Sequence, residues 1–336
     1  MRTVAPMASE VRHIHPTAVP SPGRERNHGA PDGPLASVTP VTAATRSRGA
    51  HSTSRRRRSA GHARRPRTAF VLSGGASLAA LQAGMLHALY EHGIAPDLLV
   101  ATSAGALNAT FVASRPQTVP TARALAGVWR ELQRDDVFPV SPSAVVRGLL
   151  GKRGHLVAVD ALRKLLARHL QFDDLADAPI PLHAVAFDVD SGAEVLLSEG
   201  PAADVLTATA AIPGVFPPVE LRGRRLIDGG VVNNTPISHA VELGAERVYV
   251  LPTMDRSFAR PVEGRTAVGA AVDAIGLMMR SRLHADIARF ASEVELIVLP
   301  APNPLNVMPT DFGHADRLVR DGLHAARERL SQVLAA

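Results

Sequence analysis

Cysteine is absent from the 336 residues. That excludes disulfide scaffolds, thiolate metal sites and cysteine nucleophiles together, and it fits a reducing compartment. Lysine occurs only at Lys152 and Lys164, so the cation is nearly always arginine. Aromatic residues are scarce at 4%, and Trp129 and Phe138 suit a packed core better than a base-stacking surface. The His-x-x-x-His and His-Glu-x-x-His spacings are missing, so neither a metal nor another cofactor is expected. No apolar segment follows the basic residues near the start, as a secretory signal would require.

What is present is a hydrophobic content of 46%, enough for a sizeable core. Charge is unevenly placed. Thirteen arginines against Glu10, Glu25 and Asp32 give the first 67 residues +10, which leaves the remainder at −4. A slightly acidic body argues against a nucleic-acid partner. The first 66 residues carry eight prolines and the run Arg55-Arg56-Arg57-Arg58. They read as a disordered Arg/Pro-rich tail, because like charge and low hydrophobicity leave little burial to offset chain entropy. Such a tail can also touch an anionic lipid surface. Residues 67–336 read as one domain.

Residues 68–90 lack any Asp, Glu, Lys or Arg, which raises the question of a membrane span. Ser73, Gly74, Gly75, Ser77 and Gln82 interrupt the run, and a strand, a glycine turn and a helix account for it better. Strands are expected at Thr68–Leu72, Asp97–Ala101, Pro181–Asp188, Glu194–Leu197, Arg225–Asp228, Arg247–Leu251 and Val294–Leu299. Helical patterns lie between them, from Leu78–His92 to Ala315–Leu334. This alternation predicts an α/β fold around a mostly parallel sheet. Val145–Leu150 and Val268–Met279 read as helix core, with acyl-pocket lining or bilayer contact as the other reading.

Three small-residue turns carry the chemistry. Leu72-Ser73-Gly74-Gly75-Ala76-Ser77 joins a strand to a helix, as a tight turn or as a cradle of N–H groups for an anion. Ala101-Thr102-Ser103-Ala104-Gly105 has small residues two before and two after a serine. That spacing permits a nucleophile elbow, and equally an N-cap. Asp228-Gly229-Gly230 is a simple Asp-Gly turn or an acid with space cleared around it.

Together they meet one need. A serine hydroxyl requires a base, and the oxyanion it creates requires preorganised donors. Ser103 would be the nucleophile, Asp228 the base, and the N–H groups around Gly74, Gly75 and Ala76 the oxyanion hole. A Ser-His-Asp triad remains formally available through His239, His284 or His314, of which His314 is the best placed. Only two strands precede Ser103, however, fewer than an α/β-hydrolase uses.

With Ala211-Ile212-Pro213-Gly214-Val215-Phe216-Pro217-Pro218 and Asn234-Thr235-Pro236, the set resembles the patatin-like phospholipases over roughly residues 67–335. The resemblance implies a three-layer α/β/α fold, a Ser103–Asp228 dyad without histidine and no metal. It also implies hydrolysis of lipid or phospholipid acyl esters, an oxyanion hole at Gly74, Gly75 and Ala76, and a cytoplasmic protein peripheral to the inner membrane face. The chain departs from the family at Ala76, Ala79 and Ala101, where glycine is common, and at Leu78, where Arg or Lys is. Those departures motivate an alternative: a lipid-binding scaffold with the fold but little turnover.

Overall fold

The structure is a computed structural model that describes residues 65–139, 155–254, 267–302 and 307–335, and no side chain of 267–273. Residues 1–64, on which the expectation of a disordered tail falls, lie outside the described residues, as does Val145–Leu150.

In chain order, β1 (Thr68–Leu72) leads through a short 3-10 turn into α1 (Ala80–Glu91), and β2 (Leu98–Thr102) into α2 (Ala104–Ala113). Next come α3 (Val119–Glu131), α4 (Arg134–Val137) and α5 (Asp160–His169), then β3 (Leu182–Asp188) and β4 (Ala193–Leu197). They are followed by α6 (Ala202–Thr209), β5 (Val219–Leu221), β6 (Arg224–Asp228), α7 (Gly230–Asn233) and α8 (Ile237–Glu242). β7 (Arg247–Leu251), α9 (Ala267–Phe290), β8 (Glu295–Val298) and α10 (Ala315–Leu334) complete the chain. The expected helices and strands are present. α6, α7 and β5 had no clear period or length in the sequence.

Strands β3, β2, β1, β7 and β8 lie side by side and parallel. The five-residue apolar runs of β1 and β2 are buried throughout, as strands covered on both faces must be. Alternation along each strand divides the core in two. Phe70, Leu72, Leu99, Ala101, Tyr249 and Leu251 face one cluster, shared with α1, α2, α3 and α10. Ala69, Val71, Leu98, Val100, Val248 and Val250 face the other, shared with α8 and α9. The result is three layers with the sheet in the middle.

The sheet's antiparallel part determines where the site forms. Ala186, Phe187 and Asp188 pair with both β4 and β6, and Ala184 and Val185 with both β4 and β2. β4 therefore occupies one edge of β3, while β2 and β6 share the other. They run in opposite senses along it and meet end to end. Thr102 is opposite Val185 and Asp228 is opposite Ala186, so the two strands end on consecutive residues of β3.

The uncharged stretch 68–90 also finds its reason. α1 is buried almost all round because the sheet, α3 and α10 all pack against it. Among the described residues, no helix is long and apolar enough to cross a membrane. Gln82, a fully buried polar side chain of α1, belongs to a chain of hydrogen bonds. Trp129 Nε1 donates to Asn108 Oδ1 at 2.9 Å, and Asn108 Nδ2 donates to Gln82 Oε1 at 2.8 Å and to the Ala79 carbonyl at 2.9 Å. Gln82 Nε2 in turn donates to the carbonyls of Ser73 (2.8 Å) and Leu251 (2.9 Å). Asn108→Leu strands donors and acceptors at both ends of this chain and should cost about 3 kcal/mol of stability in urea unfolding. A loss below about 1 kcal/mol would mean the chain contributes little.

Candidate active site

Each of the three turns lies at the C-terminal end of a strand, where an open α/β sheet leaves a crevice. Ser103 follows β2 directly. Its backbone has φ 54° and ψ −129°, a conformation L residues seldom occupy. Hydrogen bonds fix the turn on both sides. The Ser103 N–H donates to Thr209 Oγ1 at 3.0 Å, and the Thr209 hydroxyl donates onward to the Val185 carbonyl. Thr102 Oγ1 donates to the Asn233 carbonyl at 2.9 Å. Gly105 permits the elbow to sit against β1, since a Cβ there would lie 2.4 Å from the Leu72 carbonyl oxygen.

Ser103 occupies the N-cap position of α2, yet its side chain makes no capping bond. Its hydroxyl lies beside the Asp228 carboxylate instead, near enough to favour that group's charged form. Asp228 is 6% exposed, and its Oδ1 accepts the Gly230 N–H at 2.8 Å. Its backbone N–H donates to the Ala211 carbonyl at 2.9 Å. Burial raises its pKa from 3.8 to about 6, against the opposing pull of the Ser103 hydroxyl and the Gly230 N–H.

The glycine turn is clamped. Asn234 takes the Gly74 N–H on its carbonyl (3.2 Å) and returns its Nδ2 to the Gly74 carbonyl (3.2 Å). The Thr253 hydroxyl donates to that carbonyl as well. Because the peptide is planar and trans, pinning the Gly74 C=O turns the Gly75 N–H to the opposite side. Among the described residues, nothing accepts the N–H of Gly75 or Ala76. Gly74 must be glycine here, since a Cβ would fall 2.6 Å from Asn234 Oδ1 and 3.0 Å from Ser103 Cβ.

Ser103 and Ala76 open onto an apolar cavity of about 40 Å3, whose wall includes Leu107, Trp129, Phe138, Ile212, Phe216 and Phe312. Four of the chain's twelve aromatic residues gather here. Phe138 packs on Phe216 at 5.7 Å and on Phe312 at 6.0 Å, and Trp129 stacks on Phe312 at 6.4 Å.

A family model described as "Patatin-like phospholipase" matches residues 70–241, just over half of the sequence. The chain belongs to the patatin-like phospholipase family. It is 30% identical over 183 residues to an uncharacterized NTE family protein of Mycobacterium bovis, covering 54% of this chain and 47% of that one. Lysophospholipase NTE1 of Mycosarcoma maydis is 25% identical over 188 residues, 54% of this chain and 9% of its own. Patatin-like phospholipase domain-containing protein 7 of Rattus norvegicus is 28% identical over 192 residues, 56% and 14%. This chain thus spans about half the length of its mycobacterial relatives and a small part of the others. Among solved structures, VipD from Legionella pneumophila aligns with TM-score 0.41 and 14% identity over 80% of this chain and 67% of that one. Human GIVD cytosolic phospholipase A2 aligns with TM-score 0.41 and 13% identity over 80% and 58%.

The family's motifs sit where the geometry uses them in this patatin-like phospholipase. The 211–218 segment receives the Asp228 N–H and supplies Ile212 and Phe216 to the cavity. Asn234 is the clamp on Gly74. Of the departures, Ala76 does adopt a positive φ, 49°, at a cost of about 1–2 kcal/mol for an L residue. Leu78 is wholly buried, so that position cannot present a charge to a substrate. Two of the three candidate histidines are engaged elsewhere. His314 pairs with Asp311 at 3.4 Å, His239 with Glu194 at 2.6 Å, and no histidine acts on Asp228. Among the described residues, no three His, Asp or Glu side chains form a metal-binding group.

Thr209 and Thr253 escaped the sequence reading. Thr209 ends a helix the sequence did not mark, and Thr253 is an ordinary residue beyond a strand. Its one signal is position, since the residues after β7 border the same crevice as those after β1.

A carboxyl whose pKa is raised on folding favours the folded state when protonated, and that advantage is lost as pH rises from 3.8 to about 6. Relative to Asp228→Asn, the wild type should therefore lose about 2–3 kcal/mol of stability between pH 4 and pH 7. Parallel stability curves for the two proteins, measured by denaturant unfolding, would contradict the burial of the charge.

Proposed function

We propose that the protein is a serine lipid acyl hydrolase, of phospholipase A or lysophospholipase type, working through a Ser103–Asp228 dyad. One observation carries the reading: two strands that end on consecutive residues of β3 bring the Ser103 hydroxyl beside the buried Asp228 carboxyl at the wall of an apolar cavity. With the ester carbonyl above Ser103, Asp228 accepts the hydroxyl proton as Ser103 Oγ bonds to the carbonyl carbon. Desolvation favours this step, because it raises the proton affinity of a carboxylate otherwise too weak a base. The tetrahedral oxyanion then meets the N–H groups of Gly75 and Ala76. Gly74 supports the loop instead, since its own N–H is taken by Asn234. Each such donor contributes around 3 kcal/mol in comparable sites.

Asp228 next returns its proton to the departing alcohol, leaving the acyl group on Ser103. Water attacks the acyl carbon with Asp228 again accepting a proton, and as the bond to Ser103 Oγ breaks Asp228 returns that proton to Oγ and the fatty acid departs. The cavity, free of charged side chains, suits an alkyl chain.

The substrate is an ester of a lipid phase, so the protein meets that phase from one side. Ile275, Leu277 and Met278 on α9 and Val231 on α7 are large apolar side chains turned outward, and the Arg-rich first 66 residues add positive charge. We place the protein in the cytoplasm, peripheral to the inner membrane face.

A fluorophosphonate should label the wild type and spare Ser103→Ala. Asp228→Asn should remain folded and lose ester turnover by at least about 100-fold. The wild-type kcat/KM should rise with pH around a midpoint near 6, where Asp228 becomes ionised. Lipid vesicle binding without labelling or hydrolysis would favour the scaffold instead, and full activity in Asp228→Asn would sink the dyad.

A further inference from the structure

Thr102 and Asn233 are wholly buried, and between them they join the two halves of the dyad. Thr102 precedes Ser103, and its hydroxyl donates to the Asn233 carbonyl at 2.9 Å. The Asn233 N–H donates in turn to the Gly229 carbonyl at 2.8 Å, closing the single turn of α7 behind Asp228. One residue's backbone therefore holds both the turn after the acid and the strand end before the nucleophile.

The Asn233 side chain is anchored on a third element, β4. Its Nδ2 donates to Glu194 Oε1 at 2.7 Å and to Ser238 Oγ at 3.2 Å. Glu194 Oε1 also takes His239 Nε2 at 2.6 Å, while Nδ1 of the same ring meets Glu242 Oε2 at 3.2 Å. A ring with a carboxylate at each nitrogen donates from both, which makes His239 the imidazolium. The Glu194 bond accordingly holds the histidine above its ordinary pKa. Desolvation opposes the charge on Glu194, yet the bonds from His239 and Asn233 keep its carboxyl below the usual value. The anchor is thus a half-buried, charge-assisted pair, stiffer than a fully exposed one.

Tying β4 to α8 would need Glu194 and His239 alone. Asn233 joins them at a cost, because its Oδ1 is buried and accepts no hydrogen bond from a described residue. Leucine, of similar size, would fill the place without an unpaired carbonyl. What the amide adds is its NH2 group, which fixes the one residue whose backbone touches both sides of the dyad.

We propose that Asn233 is a positioning residue: anchored through Glu194 and His239, it keeps the turn behind Asp228 in register with the elbow of Ser103. Its effect on turnover rests on the assignment of Ser103 and Asp228, whereas the linkage itself rests on hydrogen bonds alone.

Two variants break the link at its two ends. Glu194→Leu removes the anchor, and Thr102→Val removes the hydroxyl at the elbow while keeping the side chain's outline. Each should lower kcat on an ester by at least about tenfold and leave KM within about twofold, since the cavity wall is untouched. Glu194→Gln keeps an acceptor for Asn233 and Thr102→Ser keeps the hydroxyl, so both should stay within about threefold of the wild type. The double variant should be no slower than the slower single, because members of one chain act as a unit. Multiplied losses, losses in KM, or conservative variants as damaging as the disruptive ones would overturn the proposal.

Amide hydrogen exchange tests the linkage without any chemistry. In Glu194→Leu, exchange over 101–106 and 229–234 should quicken together by at least about tenfold, while 68–72 keeps the wild-type rate. Thr102→Val serves for the same measurement should Glu194→Leu fail to fold. Coupled exchange in a protein that no fluorophosphonate labels would discard the dyad and keep the linkage. Native turnover and exchange in Glu194→Leu would discard the linkage and keep the dyad.

Discussion

The site depends on one edge of β3. Two strands of opposite direction share that edge and end on neighbouring residues, so the groups that follow them are forced together. Ser103 succeeds the last residue of β2, and Asp228 is the last residue of β6. A separation of 125 positions in sequence becomes a close approach because Val185 and Ala186 are adjacent. Side-chain flexibility has little part in this, since backbone pairing sets the distance. It also explains why the acid sits at a strand end with two glycines after it. The chain must turn away at once, before it runs into the elbow.

Burial gives that contact its chemical character. In water a carboxylate is a weak base toward a hydroxyl, and in a fully apolar pocket it would be protonated near neutrality. Asp228 lies between these limits. Desolvation pushes it up, and the Ser103 hydroxyl and Gly230 N–H pull it back to about 6. It is ionised at pH 7 and still has a proton affinity well above that of a surface aspartate. A histidine is not needed to bridge the gap, and the nearby ones serve ion pairs with Glu194 and Asp311.

Much of this was legible before any coordinates. The apolar runs 68–72 and 97–101 could only be strands covered on both faces, and each ended in a turn of small residues. The charge-free stretch to residue 90 read as a strand, a glycine turn and a helix, and the packing of α3 and α10 on α1 is why that helix needs no charge. What the sequence could not express is pairing. Nothing in Arg224–Asp228 reveals that it runs antiparallel beside β3, or that it shares an edge with β2. The contribution of Thr253 is hidden for the same reason, since a lone threonine after a strand has no periodicity to betray it. The glycine turn suggested three equivalent donors, but hydrogen bonding distinguishes them. The Gly74 N–H is consumed by Asn234, leaving those of Gly75 and Ala76.

Trp129 ties the cavity to the chemistry. Its ring is part of the cavity wall, and its N–H begins the buried chain through Asn108 and Gln82 to the Ser73 carbonyl. Ser73 Oγ accepts the Thr253 N–H at 3.1 Å, and the Thr253 hydroxyl holds the Gly74 carbonyl. The surface that an acyl chain would touch and the peptide that aims the Gly75 N–H are thus two ends of one satisfied network. Such a network is stiff because every member has its partners, and removing any one strands the next in a medium where unpaired polar groups are costly. Reshaping the cavity at Trp129 therefore disturbs the glycine turn as well, whereas Leu107 and Leu165, whose side chains carry no polar atom, lie outside that network.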